Sequence, residues 1–304
     1  MRYTILLFLI FLVSLSRAQT QEDVTIFTAM GDEQARTKEQ LTLPMMSKPF
    51  YVSYALLLSR QFSVEATLGS VLNSVNLPLH LMGTSQVLIG DYNRTSDLRH
   101  VGQFLRVDVG GAIDYNAIRL GFWLASDQGY KVALQEYSAK KAYLEANPYE
   151  LPDNLPDLLP TPSVEKLIQG KQPYISGISG VEAKARELSA VFKDYKEIVA
   201  SKVSLQGSEM TFYKLTTEQV ALKQPLNFVE LYVEGTVVTK NGEYIRDSYV
   251  LLAPSLEALP SQEHLKQVVA GFARRLIDLK NAEVFSEEYN GPVLFENEAV
   301  RQVL

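Results

Sequence analysis

Apolar and polar residues alternate along several stretches of this chain, and these stretches come in consecutive groups rather than singly between helices. From Phe50 to Leu56 every second residue is apolar, and a second run with the same period begins at Phe62. A further strand is predicted at residues 86–91. A period of two predicts half-buried antiparallel strands, because successive side chains of a strand point to opposite faces. Grouped strands favour an α+β fold with antiparallel sheets over a doubly wound parallel sheet.

The second half of the chain contains further alternating stretches, one of which carries a turn signal. Residues 203–206 and 229–234 alternate in the same way, and residues 244–252 form a return run behind Asn241 and Gly242. An Asn-Gly pair supplies the two positive φ angles of a type I′ turn. The sequence therefore predicts a hairpin that is closed by this turn.

Stretches with helical spacing precede and follow each group of strands. The sequence predicts long amphipathic helices over residues 22–41, 115–146, 181–192 and 262–280. Asp114 and Ser261 stand directly before two of them, where short polar side chains cap free backbone N–H groups. In the first helix the apolar points are Val24, Phe27, Met30 and Leu41. The order helix, strands, helix thus occurs twice, which hints at two similar halves, although no sequence repeat accompanies it.

A proline-rich segment separates the two halves. Residues 148–163 contain five prolines, which favour an extended connector, either at a subdomain boundary or as one long loop within a single domain. We therefore divide the chain into a signal peptide at 1–18, a first α+β half at 19–147, this connector, a second α+β half at 164–285, and the start of a further C-terminal domain at 286–304.

The first 18 residues have the three parts of a secretory signal peptide. Arg2 supplies a positive charge, residues 4–15 form an apolar run, and small residues precede a cleavage point after Ala18. The alternative is an N-terminal membrane anchor, but the run is short for a bilayer, which requires about 20 residues. The sequence predicts an exported protein, periplasmic or secreted, without a membrane span after signal cleavage.

Composition excludes several classes of site. The chain has no cysteine, so it forms no disulfide, no thiolate zinc site and no cysteine nucleophile. Its formal net charge of −6 argues against a nucleic-acid partner, because binding to a phosphate backbone depends on clustered Lys and Arg. A hydrophobic content of 46% predicts a packed core rather than disorder.

Residues that commonly carry chemistry are sparse. The three histidines, His80, His100 and His264, lie too far apart in sequence to form a helical metal-binding pair. The chain also lacks a Gly-x-Ser-x-Gly elbow and a phosphate-binding loop. The sequence therefore assigns no catalytic residue, no metal ligand and no cofactor within these 304 residues, and it leaves the substrate-binding residues open.

Tyrosine is abundant, with 16 residues, and two tyrosines share one predicted strand. Tyr51 and Tyr54 point to opposite faces, so one of them can be exposed. An exposed tyrosine beside a sheet edge suits peptide binding, whereas packing in the core is the more common role.

Several segments, in their order and spacing, resemble the TldD/PmbA family of metallopeptidases, also described as modulators of DNA gyrase, and especially its exported branch. The segments are residues 30–41 (MGDEQARTKEQL), 48–56 (KPFYVSYAL), 87–92 (VLIGDY), 120–142 (LGFWLASDQGYKVALQEYSAKKA) and 189–195 (SAVFKDY). The most specific one is 288–304 (EYNGPVLFENEAVRQVL), which is similar to the family's Tyr-x-Gly-Pro-Val-Leu-Phe-Glu strand and the Ala-rich helix behind it.

The resemblance implies a role for this chain without chemistry of its own. Catalytic family members carry a His-Glu-x-x-x-His zinc motif beyond the region that ends here at Leu304, and other members lack the histidines and act as partner subunits. Zinc is therefore expected only in a longer native chain. Residues 292–295 (PVLF) would be the first strand of the further domain.

The implied function is that of a non-catalytic N-terminal domain. It would belong to an exported TldD/PmbA-like zinc metallopeptidase or to its metal-free partner subunit, and it would help to enclose peptides or unfolded protein segments within a homo- or hetero-dimer. The alternatives are a stand-alone periplasmic or secreted module that binds peptides or proteins, and an unrelated exported protein with a structural role.

Overall fold

The computed structural model describes residues 20–97, 105–147, 155–168, 178–283, 288–296 and 299–300. Within these ranges the helices are α1 (Gln21–Gln40), α2 (Tyr115–Ala146), α3 (Ser179–Ala190) and α4 (Gln262–Asn281). A short 3-10 helix, Val191–Asp194, follows α3. The strands are β1 (Tyr51–Thr67), β2 (Ser70–Leu88), β3 (Leu105–Gly110), β4 (Val164–Leu167), β5 (Ile198–Thr216), β6 (Val220–Pro225), β7 (Phe228–Val238) and β8 (Tyr244–Ala253).

These eight strands form one sheet. Its order is β3-β2-β1-β5-β6-β4, and β7 pairs with another part of β5 and carries β8 on its far side. All pairs are antiparallel except β4 with β6. The prediction of an α+β fold with antiparallel pairing is therefore confirmed. The two predicted halves share this sheet, because β1 pairs with β5 from Ser53–Thr216 to Ala66–Val203.

The long strand β1 corrects one sequence prediction. The alternating runs that start at Phe50 and Phe62 were predicted as two strands, but they belong to one strand of 17 residues. The intervening residues, from Leu57 to Gln61, stay paired with β5 without interruption. Because β1 has a partner on both sides, its backbone groups are satisfied along its length, and a break in the apolar pattern does not end the strand.

Two hairpin turns differ from the sequence prediction. The Asn241-Gly242 hairpin exists, with Val238 opposite Tyr244, but only Gly242 has a positive φ angle, at 84°. The predicted type I′ turn is therefore wrong, because Gly242 is the fourth residue of a turn over residues 239–242, in which its N–H donates to the Thr239 carbonyl at 3.0 Å. A two-residue turn with two positive φ angles instead joins β1 to β2, at residues 68–69.

The predicted helices and their caps are confirmed. The Asp114 side chain accepts a hydrogen bond from the Ala117 N–H at 2.8 Å, and Ser261 plays the same role at the start of α4. In α1 the predicted apolar face is partly wrong. Met30 is buried, but Val24 is 42% exposed because it points away from the sheet.

All four helices pack on the same face of the sheet. The buried apolar residues of β1 fall at even-numbered positions, and even-numbered residues of one strand share a face. Those from 52 to 58 pack with α1 and α2, and those from 62 to 66 pack with α3 and α4. We call the opposite side the open face. It is formed by the odd-numbered residues of β1 from 57 to 65 and their cross-strand neighbours, and no helix of the described chain covers it.

Part of the proline-rich connector is ordered against the end of the sheet. The Leu158 N–H donates to the Tyr92 carbonyl at 3.0 Å, and the Thr161 N–H donates to the Glu218 carboxylate at 3.1 Å. The connector then enters β4, which pairs with β6. The division of the chain into halves and connector stays a prediction.

The two ends of the chain carry further predictions. The predicted signal peptide, residues 1–18, lies wholly outside the described residues. Residues 292–295 form no strand, because no described strand lies beside them to take up their backbone hydrogen bonds, and Leu294 is 81% exposed. Among the described helices none is long and apolar enough to cross a membrane.

Candidate functional site

The two histidines that the structure describes lie on different elements, one on β2 and one on α4. His80 lies on β2, and its Nδ1 is 3.8 Å from a carboxylate oxygen of Asp108. His264 lies exposed in the first turn of α4, and His100 lies outside the described residues. Within the described ranges no three His, Asp or Glu side chains converge on one point. The zinc site that the resemblance implies would lie beyond Leu304, and it stays an expectation.

The tyrosine pair of β1 belongs mainly to the core. Tyr54 is fully buried, and its ring stacks on Phe122 with 4.3 Å between ring centroids. Its hydroxyl makes hydrogen bonds with the hydroxyls of Thr37 at 2.9 Å and Ser126 at 2.6 Å. Burial raises the pKa of Tyr54 to about 12. Tyr51 is half-buried on the other face, so the idea of an exposed peptide-binding tyrosine has little support.

A buried charged cluster joins the start of α1 to the sheet. Asp23 accepts hydrogen bonds from the Lys223 ammonium at 2.8 Å and from the Tyr213 hydroxyl at 2.6 Å. Burial raises the pKa of the Asp23 carboxyl, but these hydrogen bonds outweigh burial and hold the pKa below its ordinary value. Asp23 is 1% exposed, so this cluster stabilises the fold and does not meet a ligand.

The open face carries a cavity of ≈ 390 Å³ at its centre. The cavity lies where β1, β2, β5 and β7 run side by side. Its lining residues are Gln61, Phe62, Ser63, Val75, Leu77, Gln206, Gly207, Ser208, Met210 and Phe228. This volume falls in the range of about 300–1,000 Å³ that is typical of ligand pockets.

Two cross-strand rows explain the shape of this cavity. The first row reads Leu77, Gln61, Ser208 and Phe228 from β2 to β7, and the second row reads Val75, Ser63, Gln206 and Glu230. The residues in the middle of the rows are polar and, at both serines, short. Apolar side chains stand at three of the four ends, and Glu230 stands at the fourth, so the two rows form a trough with a polar floor and largely apolar walls.

One polar group on the floor has no partner. Ser208 is 6% exposed, and its Oγ makes no hydrogen bond with any described residue. A buried hydroxyl without a hydrogen bond is costly, so such groups are uncommon in folded proteins. This hydroxyl is therefore available to a group that enters the trough.

A carboxylate lies at the end of the second row. The Gln206 side-chain amide donates to Glu230 Oε1 at 2.6 Å, which fixes the carboxylate next to the trough. No Lys, Arg or His of the described chain pairs with Glu230, whereas the neighbouring Glu234 pairs with Arg246. The trough is thus bordered by a negative charge that no cation of the described chain neutralises.

Gly207 precedes Ser208 in β5 and faces the helix side of the sheet, behind the floor of the trough. A Cβ atom at this position would overlap the ring of Phe62, which lies directly against β5. Glycine within a strand often marks such a close approach. The sequence analysis did not predict the trough. An isolated glycine within the alternating residues 203–208 is nevertheless a signal for a close approach at this point of the strand.

Comparisons with known proteins establish the fold but not the family. No family model matches the sequence, and no curated protein matches it. A solved candidate modulator of DNA gyrase from Thermotoga maritima matches with a TM-score of 0.51 at 12% identity, over 77% of this chain and 46% of that one. A second one, from Bacteroides thetaiotaomicron, matches with a TM-score of 0.50 at 12% identity, over 84% of this chain and 50% of that one.

The chain spans about half of the length of these solved proteins. At such low identity the similarity concerns the fold alone. It agrees with the fold that the TldD/PmbA resemblance implied. This chain therefore has a fold found in solved proteins described as candidate modulators of DNA gyrase, over about half of their length.

Proposed function

We propose that this chain is a non-catalytic region of an exported protein of the TldD/PmbA type, and that it confines peptide substrate and contributes to a dimer. In this reading it belongs either to a zinc metallopeptidase or to a metal-free partner subunit. The observation that carries the proposal is the fold match, which covers most of this chain and only about half of each solved protein. The sequence segments that resemble the family support it independently.

The open face provides a surface for this role. Leu57 lies between Met82 on β2 and Phe212 on β5, and Met82 is 39% exposed. Leu77 and Phe228, at the ends of the first row of the trough, are 49% and 40% exposed. An apolar surface of this kind, rimmed by polar residues, is typical of a protein or peptide contact. The proposal of export depends on the sequence of the first 18 residues.

A peptidase assay tests the non-catalytic role. The purified mature chain, residues 19–304, is incubated with unfolded casein and short peptides, with and without added zinc. We expect no turnover above that of a heat-denatured sample, because the described residues bring together no set of zinc ligands. Turnover that depends on zinc and co-purifies with the chain would overturn the proposal.

A second candidate function is a stand-alone module that binds peptides or proteins. The trough with its unpartnered Ser208 hydroxyl favours it, since such a site does not require a second domain. The intact mass of the native protein, recovered from the envelope or medium of its source, distinguishes the two. A mass far above that of residues 19–304 supports a longer metallopeptidase-type chain, and a mass equal to it supports the stand-alone module.

A further inference from the structure

We infer that the trough on the open face binds the amino-terminal residue of a peptide, with its ammonium group at Glu230 and its apolar side chain between Leu77 and Phe228. The choice of a peptide as the source of the amine rests on the proposed function. The site itself follows from three features of the trough, namely its charge, its shape and its unpartnered hydroxyl.

The charge of the trough selects a cation. Glu230 is held in place by Gln206, and no cation of the described chain pairs with it. The residues that line the cavity carry no charge. An anionic ligand would meet repulsion from Glu230, whereas an ammonium group would find a carboxylate oriented in advance. A ligand with one positive charge at one end therefore fits best.

The shape of the trough selects an apolar body next to that charge. Leu77 and Val75 stand on the β2 side, and Phe228 stands on the β7 side. Met210 closes one end of the space between them. Apolar walls with few polar groups are typical of sites that bury a ligand side chain. The volume of ≈ 390 Å³ holds one large side chain together with its adjoining backbone.

The unpartnered hydroxyl supplies the third contact. Ser208 and Glu230 lie on neighbouring strands in a diagonal relation, because Ser208 faces Phe228 and Gln206 faces Glu230. The Cα atoms of such diagonal neighbours are about 7–8 Å apart, and their Cβ atoms are somewhat closer. The ammonium nitrogen and the carbonyl oxygen of one amino-acid residue span a gap of this kind when each makes one hydrogen bond. Ser208 Oγ would then donate to that carbonyl.

Calorimetric titration tests this inference with defined peptides. The mature chain, residues 19–304, is titrated with Leu-Gly-Gly, with N-acetyl-Leu-Gly-Gly and with leucinamide. We expect saturable binding of Leu-Gly-Gly and at least about tenfold weaker binding of the acetylated form, because acetylation removes the positive charge. Leucinamide retains the amine, the side chain and one carbonyl, so it should bind nearly as well, which shows that one residue is recognised.

Two variants locate the site. Glu230→Gln keeps the size of the side chain and should weaken Leu-Gly-Gly binding about tenfold, and Ser208→Ala should weaken it about threefold or more. Glu243→Gln, in the exposed β7–β8 loop, removes the same charge elsewhere and should leave binding unchanged. Thermal unfolding of each variant verifies that it is folded.

Three results would each contradict the proposed binding site. Lack of saturable binding at millimolar peptide, equal binding of the acetylated peptide, or unchanged binding by the folded Glu230→Gln variant would each overturn the site. The proposed function is tested separately, by the peptidase assay and by the intact mass of the native protein. Turnover in the peptidase assay with normal peptide binding would overturn the proposed function and leave the site intact.

Discussion

Removal of the buried Asp23 carboxylate should destabilise the fold strongly. Asp23 is 1% exposed, and the Lys223 ammonium and the Tyr213 hydroxyl both donate to it. In Asp23→Ala both donors stay buried, and Lys223 loses the carboxylate that neutralises its charge. Removing one partner of a buried ion pair costs about 3–5 kcal/mol, so we expect a loss of that size in the free energy of unfolding.

Urea unfolding followed by far-ultraviolet circular dichroism measures this loss as a lower midpoint with an unchanged slope. The matched control is Asp127→Ala. Asp127 forms an ion pair with Lys131 at 2.6 Å, but both side chains are exposed, so its removal should cost at most about 1 kcal/mol. Equal, small losses in the two variants would refute the argument that burial decides the strength of the Asp23 pair.

The pH dependence of stability in the wild type and in Asp23→Asn provides a second test. The pKa of Asp23 in the folded chain lies below its ordinary value of 3.8. A lowered folded pKa means that the stabilisation by Asp23 is present above the ordinary pKa and is lost as the pH falls through the folded pKa. The difference in unfolding free energy between the wild type and Asp23→Asn should therefore narrow below pH 3.8. A difference that stays constant down to the acid unfolding limit would contradict the assignment.

Two further predictions follow from the core and from the floor of the trough. Gly207→Ala places a Cβ against the ring of Phe62 and should lower the free energy of unfolding in urea by about 1–3 kcal/mol. Gly180→Ala is the control, because a Cβ there meets no atom within 4 Å, and it should not lower this free energy. Equal losses in the two variants would contradict the close approach of Gly207 to Phe62. Burial raises the pKa of Tyr54 to about 12, so the stability that Tyr54 contributes is present below about pH 10 and is lost as the pH rises towards 12. Tyr54→Phe should remove this part of the alkaline stability loss, as measured by unfolding at pH 9 and pH 11, and an unchanged pH dependence would argue against it.

Local signals in the sequence were sufficient for the helices and for the class of the fold. Asp114 and Ser261 cap their helices as predicted, because a side chain and the N–H group three residues later are neighbours whatever the rest of the chain does. The turn at Asn241-Gly242 was predicted as a hairpin but with the wrong type, since a longer loop with one positive φ angle serves the same strands.

The candidate site could not be predicted in this way. Its two rows combine residues from β1, β2, β5 and β7, which are as much as 155 positions apart when Val75 is compared with Glu230. Each residue alone is an ordinary member of an alternating strand. Only the register of four strands brings a buried serine, a carboxylate and apolar walls to one place.

The sequence by itself determined the four described helices, several of the strands and the α+β class, because caps, turns and periodicity act over a few residues. Tertiary structure alone decided that β1 and β5 pair along nearly their whole length and join the two halves in one sheet. It also decided that the four described helices lie on one face of the sheet and leave the other face open. Strand neighbours are chosen by the shared burial of distant apolar faces, and that choice involves the whole chain at once.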